Sequence, residues 1–166
     1  MVYADNRIAE FLRGDMIDIY IIGANNGLRV SDVLNLRVKA VRKRLPTIKE
    51  IKTGKSKRIY IPVEIARRLA ARADERGDSD NDYIFKSPSN PDKPMTRQAV
   101  WKAFKKAEDE VFKKYGDKVN VGTHSMRKSY ARKLLRKGKS YKEIQVRLNH
   151  AQLGDSLRYL IDGGKE

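Results

Sequence analysis

Apolar residues recur at the spacing of an amphipathic helix along most of this chain, and that periodicity restricts it to a mainly helical fold. The clearest case is a long helix that Thr96 caps and that ends near Tyr115. We expect Trp101 and Phe104 of this helix to lie in the core. The other predicted helices cover residues 15–24, a short segment capped by Ser31, residues 63–76, residues 124–137 up to Gly138, a segment opened by the capping box of Ser140 and Glu143, and a last short segment holding Leu157, Tyr159 and Leu160.

Residues 38–62 interrupt the helical pattern. Thr53-Gly54 is a turn signal inside this stretch, and its isoleucines stand among polar residues at Ile48, Ile51, Ile59 and Ile61. The stretch predicts two or three short antiparallel strands, and residues 83–85 predict one further extended piece. The predicted fold class is therefore α+β, mainly helical, with a small antiparallel sheet early in the chain.

The composition favours a polyanionic partner. The chain has 37 Lys and Arg against 21 Asp and Glu, a formal net charge of +16. It has no Cys, which excludes disulfides, thiolate metal sites and cysteine nucleophiles, and its two His are too few for a histidine-rich metal cage. The first residues do not resemble a signal peptide, and the apolar stretch 17–22 is far short of a membrane span. We therefore expect a cytoplasmic protein that binds nucleic acid and uses no membrane, metal or cofactor.

Several short segments carry residues suited to phosphodiester chemistry. Negative charge that develops on a transferring phosphate is best met by Arg, cleavage without water needs a side-chain nucleophile, and an alkoxide leaving group needs a proton donor. No Asp/Glu metal cluster is visible in the sequence, so side-chain cations would have to neutralise that charge. In chain order, the segments are Gly27-Leu28-Arg29-Val30-Ser31-Asp32, Lys52-Thr53-Gly54-Lys55, Thr123-His124-Ser125-Met126-Arg127, Leu148-Asn149-His150 and Ser156-Leu157-Arg158-Tyr159. Each is weak evidence alone, whereas the ordered set is much more specific.

In this order and spacing, the segments resemble the catalytic domain of the tyrosine recombinases, also called phage integrases. That family has an Arg in a G-L-R-x-S-E/D motif, a Lys in a β-hairpin, an H-x-x-R motif, a second His or Trp, and a nucleophilic Tyr in an R-Y dipeptide. The resemblance covers about residues 15–159 and implies the tyrosine-recombinase catalytic-domain fold. One departure is Asn149, which stands where family members usually have Gly.

The resemblance implies a covalent mechanism. Tyr159 would attack the scissile phosphate to form a 3′-phosphotyrosyl link, and Lys52 would protonate the departing 5′-oxygen. His124 would accept or relay the tyrosine proton, and His150 would hydrogen-bond the phosphate. The covalent intermediate conserves the bond energy, so rejoining needs no ATP.

The resemblance also implies how the phosphate is held. Arg29 and Arg127 would clamp the non-bridging oxygens, and Asp32 would orient these groups. An ordinary ion pair of Arg29 with Asp32 is the simpler alternative, and Lys55 or Lys57 competes with Lys52 for the acid role. Further basic residues predicted to contact DNA are Lys55, Lys57, Arg58, Lys128 and Arg132.

The expected function is site-specific DNA recombination, such as integration or excision of a mobile element, on double-stranded DNA. We expect a tetramer on DNA and a monomer when free. We also expect one catalytic domain over residues 1–166, without the helical DNA-binding domain that precedes it in the family, as a fragment or as a naturally short relative. The alternatives are a type IB topoisomerase, which relaxes supercoils, and a non-catalytic DNA-binding module of the same fold.

Overall fold

The structure is a computed structural model that describes residues 6–43, 45–116, 119, 122 and 124–149. Within these ranges it forms helices and one pair of strands. In chain order they are α1 (Asn6–Phe11), α2 (Asp15–Asn26), α3 (Val30–Leu34), α4 (Val38–Val41), β1 (Thr47–Lys49), β2 (Ser56–Arg58), α5 (Val63–Glu75), α6 (Arg97–Tyr115), α7 (Ser125–Arg136) and α8 (Tyr141–Leu148). The mainly helical α+β class is therefore confirmed.

The two strands form the small antiparallel sheet that the sequence predicts. Ile48 pairs with Lys57, and the register runs from Thr47 opposite Arg58 to Lys49 opposite Ser56. Glu50 through Lys55 form the turn between the strands. The Lys-Thr-Gly segment lies in this turn, where the Ile51 N–H bonds to Asp32 of α3.

The core is centred on α2, which packs against α3, α6 and α7. Tyr20 on α2 meets Phe104 on α6 edge to face, with ring centroids 5.9 Å apart. Gly23 on the same helix lies against Met126, so that a Cβ at position 23 would stand 3.2 Å from the Cβ of Met126. The absence of a side chain at Gly23 therefore lets α7 approach α2 closely, which brings the His124 end of α7 toward the loop that holds Arg29.

A second, smaller cluster lies between α7 and α8 and consists of Ala131, Leu134, Ile144 and Leu148. The capping box that opens α8 is confirmed. The Glu143 N–H donates to the Ser140 hydroxyl at 3.3 Å, and the Ser140 N–H donates to the Glu143 carboxylate at 2.9 Å. At the other end, Asn149 has a φ of 53°, in the left-handed region. Asn is the non-glycine residue that tolerates this conformation best, which explains how it replaces the usual Gly.

Some predicted boundaries are wrong. The helix expected to end at Ala24 continues to Asn26, because the Asn26 amide bonds to both the N–H and the C=O of Tyr60, each at 2.7 Å. Ser31 is not an N-cap: α3 begins at Val30, and Arg29 occupies the N-cap position with an extended backbone. In both places, contacts with the distant hairpin region decide the boundary.

Two further expectations are wrong, and a third concerns residues that the structure does not describe. Residues 38–41, expected to be extended, form α4, and the Val38 N–H bonds to the Asp82 carbonyl at 2.9 Å. Trp101 is 47% exposed, because α6 turns only its Phe104 face inward. The predicted last helix around Tyr159 lies outside the described residues. In the part of the chain that is described, no helix is long and apolar enough to cross a membrane.

Candidate functional site

Three of the predicted catalytic residues line one open pocket. Arg29, Lys52 and His124 surround a cavity of about 390 Å³. They come from the start of α3, from the hairpin turn and from the residue before α7, so only the tertiary fold brings them together. The other lining residues are Val30, Ser31, Ile51 and Arg97.

Two buried carboxylates contact the guanidinium of Arg29. Its Nη1 lies 3.2 Å from Oε2 of Glu50 and 4.0 Å from Oδ2 of Asp32, and both carboxylate side chains are fully buried. The Arg29 side chain itself is 17% exposed. The ion pair of Arg29 with Asp32, named above as the simpler alternative, is present at 4.0 Å, and the shorter contact is with Glu50. Buried acids fix the direction of a guanidinium, because its N–H donors form a rigid fork.

Lys52 lies in the hairpin turn, and its side chain is exposed. Both of its chain neighbours are tied to the acids that hold Arg29. The Ile51 N–H donates to Oδ1 of Asp32 at 2.8 Å, and the Thr53 hydroxyl donates to Oε2 of Glu50 at 3.0 Å. The backbone on either side of Lys52 is thus fixed relative to Arg29, and Lys52 itself lines the pocket.

His124 stands just ahead of α7, at its N-cap position. Partial desolvation, followed by the positive charges of Arg127 and Arg29, lowers the pKa of His124 below its usual value of 6.5. Protonation would add a further positive charge to a cationic pocket. The imidazole is therefore neutral at pH 7 and able to accept a proton.

Arg127 is completely buried, with a relative exposure of 0%. Its Nη1 donates to the Gly27 carbonyl at 2.7 Å, and its Nη2 donates to the Leu148 carbonyl at 2.6 Å. The side chain therefore links the end of α2 to the end of α8 from within. Arg127 is therefore not an exposed base on the surface of α7.

Lys57 on β2 also turns inward. Its Nζ donates to the Arg147 carbonyl at 2.7 Å and lies 5.6 Å from the centre of the Tyr130 ring. Burial lowers the pKa of Lys57 from 10.5 to about 8, opposed by the negative charge of Glu50. Lys57 thus has internal partners, and its DNA contact stays a prediction.

The other predicted residues fall into two groups. Lys55 and Arg58 are exposed on the hairpin, while Lys128 and Arg132 are half-buried on α7. His150 and Tyr159 lie outside the described residues. Their roles stay predictions.

Two residues of this site were not found from the sequence. Glu50 lies between a strand and a turn, where an acid normally faces solvent, and only the fold shows that it is 1% exposed. Arg97 opens α6, far along the chain from the motifs, and no local pattern connects it to them. A third cation therefore lines the pocket beside Arg29 and Lys52.

The arrangement suits a phosphate group in a transfer reaction. Arginine and lysine can neutralise the negative charge of the transition state, and a neutral imidazole can take up a proton. Among the described residues, no group of three or more His, Asp or Glu side chains is placed to hold a metal ion.

Comparisons with known proteins agree with this geometry. Residues 19–161 match the phage integrase family. A probable integrase/recombinase, YoeC of Bacillus subtilis, is 28% identical over 143 residues, covering 86% of this chain and 75% of that protein. The tyrosine recombinase XerA of Pyrococcus horikoshii is 33% identical over 162 residues, covering 92% of this chain and 51% of XerA.

Solved structures show the same fold. A crystal structure of XerA recombinase superposes with a TM-score of 0.68 at 25% identity, covering 96% of this chain and 60% of that one. A post-cleavage complex of the XerH site-specific recombinase with a palindromic difH substrate gives a TM-score of 0.67 at 20% identity, covering 93% of this chain and 45% of that one. The chain thus spans about half the length of the XerA relatives that it matches.

Proposed function

This chain belongs to the phage integrase family, and we propose that it cuts and rejoins double-stranded DNA in site-specific recombination through a 3′-phosphotyrosyl intermediate. The observation that carries the proposal is the convergence of Arg29, Lys52 and His124 on one pocket. These residues are far apart in sequence, and each supplies a different part of the chemistry. We also propose that residues 1–166 form one catalytic domain.

In the proposed reaction, the phenol oxygen of Tyr159 attacks the scissile phosphorus as its proton passes to His124. The bond from phosphorus to the 5′-oxygen breaks, and Lys52 gives that oxygen a proton. The 5′-hydroxyl of the same or another strand later reverses these steps, so no net hydrolysis occurs. The lowered pKa of His124 supports its part, because only the neutral imidazole can accept the phenol proton.

Arg29 has the geometry of a phosphate clamp. Its side chain is partly exposed at the pocket, and its orientation is fixed by buried carboxylates. We propose that Arg127 and His150 complete the phosphate site. Arg127 is not among the residues that line the pocket, and its side-chain bonds to the Gly27 and Leu148 carbonyls would fix the frame around the phosphate.

DNA is the partner that the charge supports. A net charge of +16 over 166 residues favours binding to a polyanion, with an affinity that falls steeply as salt is added. Solved relatives named for bound DNA include XerH with difH and a lambda integrase dimer on a core site. We propose that this chain assembles as a tetramer on two duplexes and is a monomer when free.

A covalent trapping assay tests the proposal. The substrate is a set of short duplexes from the DNA flanking the gene, each nicked so that the cleaved end diffuses away. The wild-type chain should form a covalent band on a denaturing gel, and Tyr159→Phe should not. Tyr141→Phe is the matched control, because Tyr141 is 46% exposed on α8.

Two results would count against the proposal. A covalent band that survives in Tyr159→Phe would refute the nucleophile. Relaxation of supercoiled plasmid without any exchange between two duplexes would instead identify a type IB topoisomerase activity.

A further inference from the structure

Glu50 is a buried acid with no role in the reaction derived above. It directly follows β1, and its side chain is fully buried. Its Oε2 accepts hydrogen bonds from Arg29 Nη1 at 3.2 Å and from the Thr53 hydroxyl at 3.0 Å. Burial of an ionised carboxylate is costly unless hydrogen bonds and a counter-charge compensate it. A function in the pocket would therefore explain why this acid is buried against Arg29.

The backbone of Glu50 also organises the hairpin turn. Its N–H donates to the Lys55 carbonyl at 3.0 Å, and its carbonyl accepts from the Gly54 N–H at 2.8 Å. With the side-chain bond to Thr53, this residue is bonded to three positions of the turn. Lys52 lies within the turn that these hydrogen bonds close.

Asp32 makes a matching connection from the other side. Its Oδ1 accepts the Ile51 N–H at 2.8 Å, and its Oδ2 lies 4.0 Å from Arg29 Nη1. The residues before and after Lys52 are thus each bonded to a carboxylate that also faces Arg29. These two acids therefore fix the backbone around Lys52 relative to the guanidinium of Arg29.

We propose that Glu50 is a positioning residue that holds the general acid Lys52 in register with the phosphate clamp Arg29. The inference rests on the proposed function, in which Arg29 holds the phosphate and Lys52 protonates the leaving oxygen. A phosphate fixed by Arg29 has its leaving oxygen in one place, and proton transfer needs the ammonium within hydrogen-bond reach of that oxygen. Loss of the bond between Glu50 and the turn would leave the phosphate bound and Lys52 misplaced.

Two variants cut the connection at different points. Glu50→Gln keeps the size of the side chain and removes its charge, which weakens the bonds to both Arg29 and Thr53. Thr53→Val removes the bond between the turn and Glu50, together with the 3.3 Å bond from the Lys55 N–H to the Thr53 hydroxyl, and leaves the contact of Glu50 with Arg29 intact. The matched controls are Glu64→Gln and Thr47→Val, which make the same changes at exposed positions of α5 and β1.

A substrate with sulfur in place of the leaving oxygen distinguishes a misplaced Lys52 from a loss of phosphate binding or of folding. Replacing the bridging 5′-oxygen with sulfur gives a thiolate leaving group, whose conjugate acid has a pKa of about 8.5 and therefore departs without a proton donor. On the ordinary nicked duplex, Glu50→Gln and Thr53→Val should cleave on the order of tenfold to a hundredfold more slowly than the wild type. On the sulfur duplex, Thr53→Val should recover to within about threefold of the wild type, as should the reference variant Lys52→Ala. Glu50→Gln should recover only in part, because its contact with Arg29 is weakened as well.

The outcomes are distinct. Equal losses on both duplexes would overturn the inference, because the damage would then lie in phosphate binding or in folding rather than in the acid step. Unchanged cleavage by both variants would overturn it as well. A wild-type chain that forms no covalent product with either duplex would overturn the proposed function, and the inference with it.

Discussion

Arg127 gives the sharpest test of how this site is built, because its guanidinium is buried and its bonds are internal. It donates to the Gly27 carbonyl at 2.7 Å and to the Leu148 carbonyl at 2.6 Å, and it is 0% exposed. The change Arg127→Met keeps an unbranched apolar stem of similar length and removes the donors. Both carbonyls would then be left in the interior without this charged partner.

The expected loss of stability follows from those two bonds. A buried acceptor that loses its partner costs about 1–3 kcal/mol, so the two carbonyls together cost roughly 2–6 kcal/mol. Part of this is offset, because the methionine no longer carries the desolvation penalty of a buried guanidinium. We expect the free energy of unfolding to fall by about 3 kcal/mol, which would lower Tm by roughly 6–12 °C in a domain of this size.

Urea unfolding followed by circular dichroism, without DNA, measures the effect. Arg67→Met is the matched control, since Arg67 is exposed on α5 and its replacement should change the unfolding free energy by no more than about 0.5 kcal/mol. The reasoning would be refuted if Arg127→Met stayed within that same margin of the wild type. Such a result would mean that the two carbonyls lose nothing when the guanidinium is removed.

Two further predictions concern packing and pH. Gly23→Ala should lower the unfolding free energy by about 1–3 kcal/mol, because the new methyl group would press on Met126; Gly122→Ala, at a position open to solvent, should cost far less in the same urea titration. The pKa of Lys57 is about 8 in the folded chain and 10.5 for the free side chain. Burial of the charged ammonium therefore lowers the free energy of unfolding by its full amount below pH 8, and this loss disappears above pH 10.5. The wild type should therefore gain up to about 3 kcal/mol of stability relative to Lys57→Met across that window, and parallel unfolding curves for the two chains from pH 7 to 10.5 would contradict this.

Local sequence signals predicted the elements that depend on local chemistry. Thr96 caps α6 by accepting the Ala99 N–H at 3.2 Å, and Ser140 opens α8, as their positions in the sequence predicted. Arg29 and Lys52 could be selected because each stands in a short motif with recognisable turn residues. Their meeting in one pocket could be expected only from the family resemblance, since no periodicity connects the start of α3 with a hairpin turn.

Contacts between distant segments decided the features that the sequence could not reveal. Asn26 extends α2 because its amide bonds to the backbone of Tyr60, which is 34 residues away. Glu50 is buried because Arg29 and the turn surround it, although an acid after a short strand normally indicates an exposed position. Such polar contacts satisfy buried groups, and their partners are known only once the chain has folded.

The end of α8 connects the phosphate site with the part of the chain that follows it. Lys57 from the hairpin and Arg127 from α7 each bond to one of the last two carbonyls of this helix, where the helix dipole favours positive charge. Asn149 then turns the backbone through the left-handed region directly ahead of His150 in the sequence. The residue proposed to frame the phosphate therefore also fixes where the chain leaves α8. Lys57 contacts α8 without lining the pocket, so its substitution would alter the geometry of this exit. It would also remove a positive charge that acts on Glu50 and Arg29. A change in cleavage rate in such a variant would consequently report on the exit from α8 and on the charge of the phosphate site together.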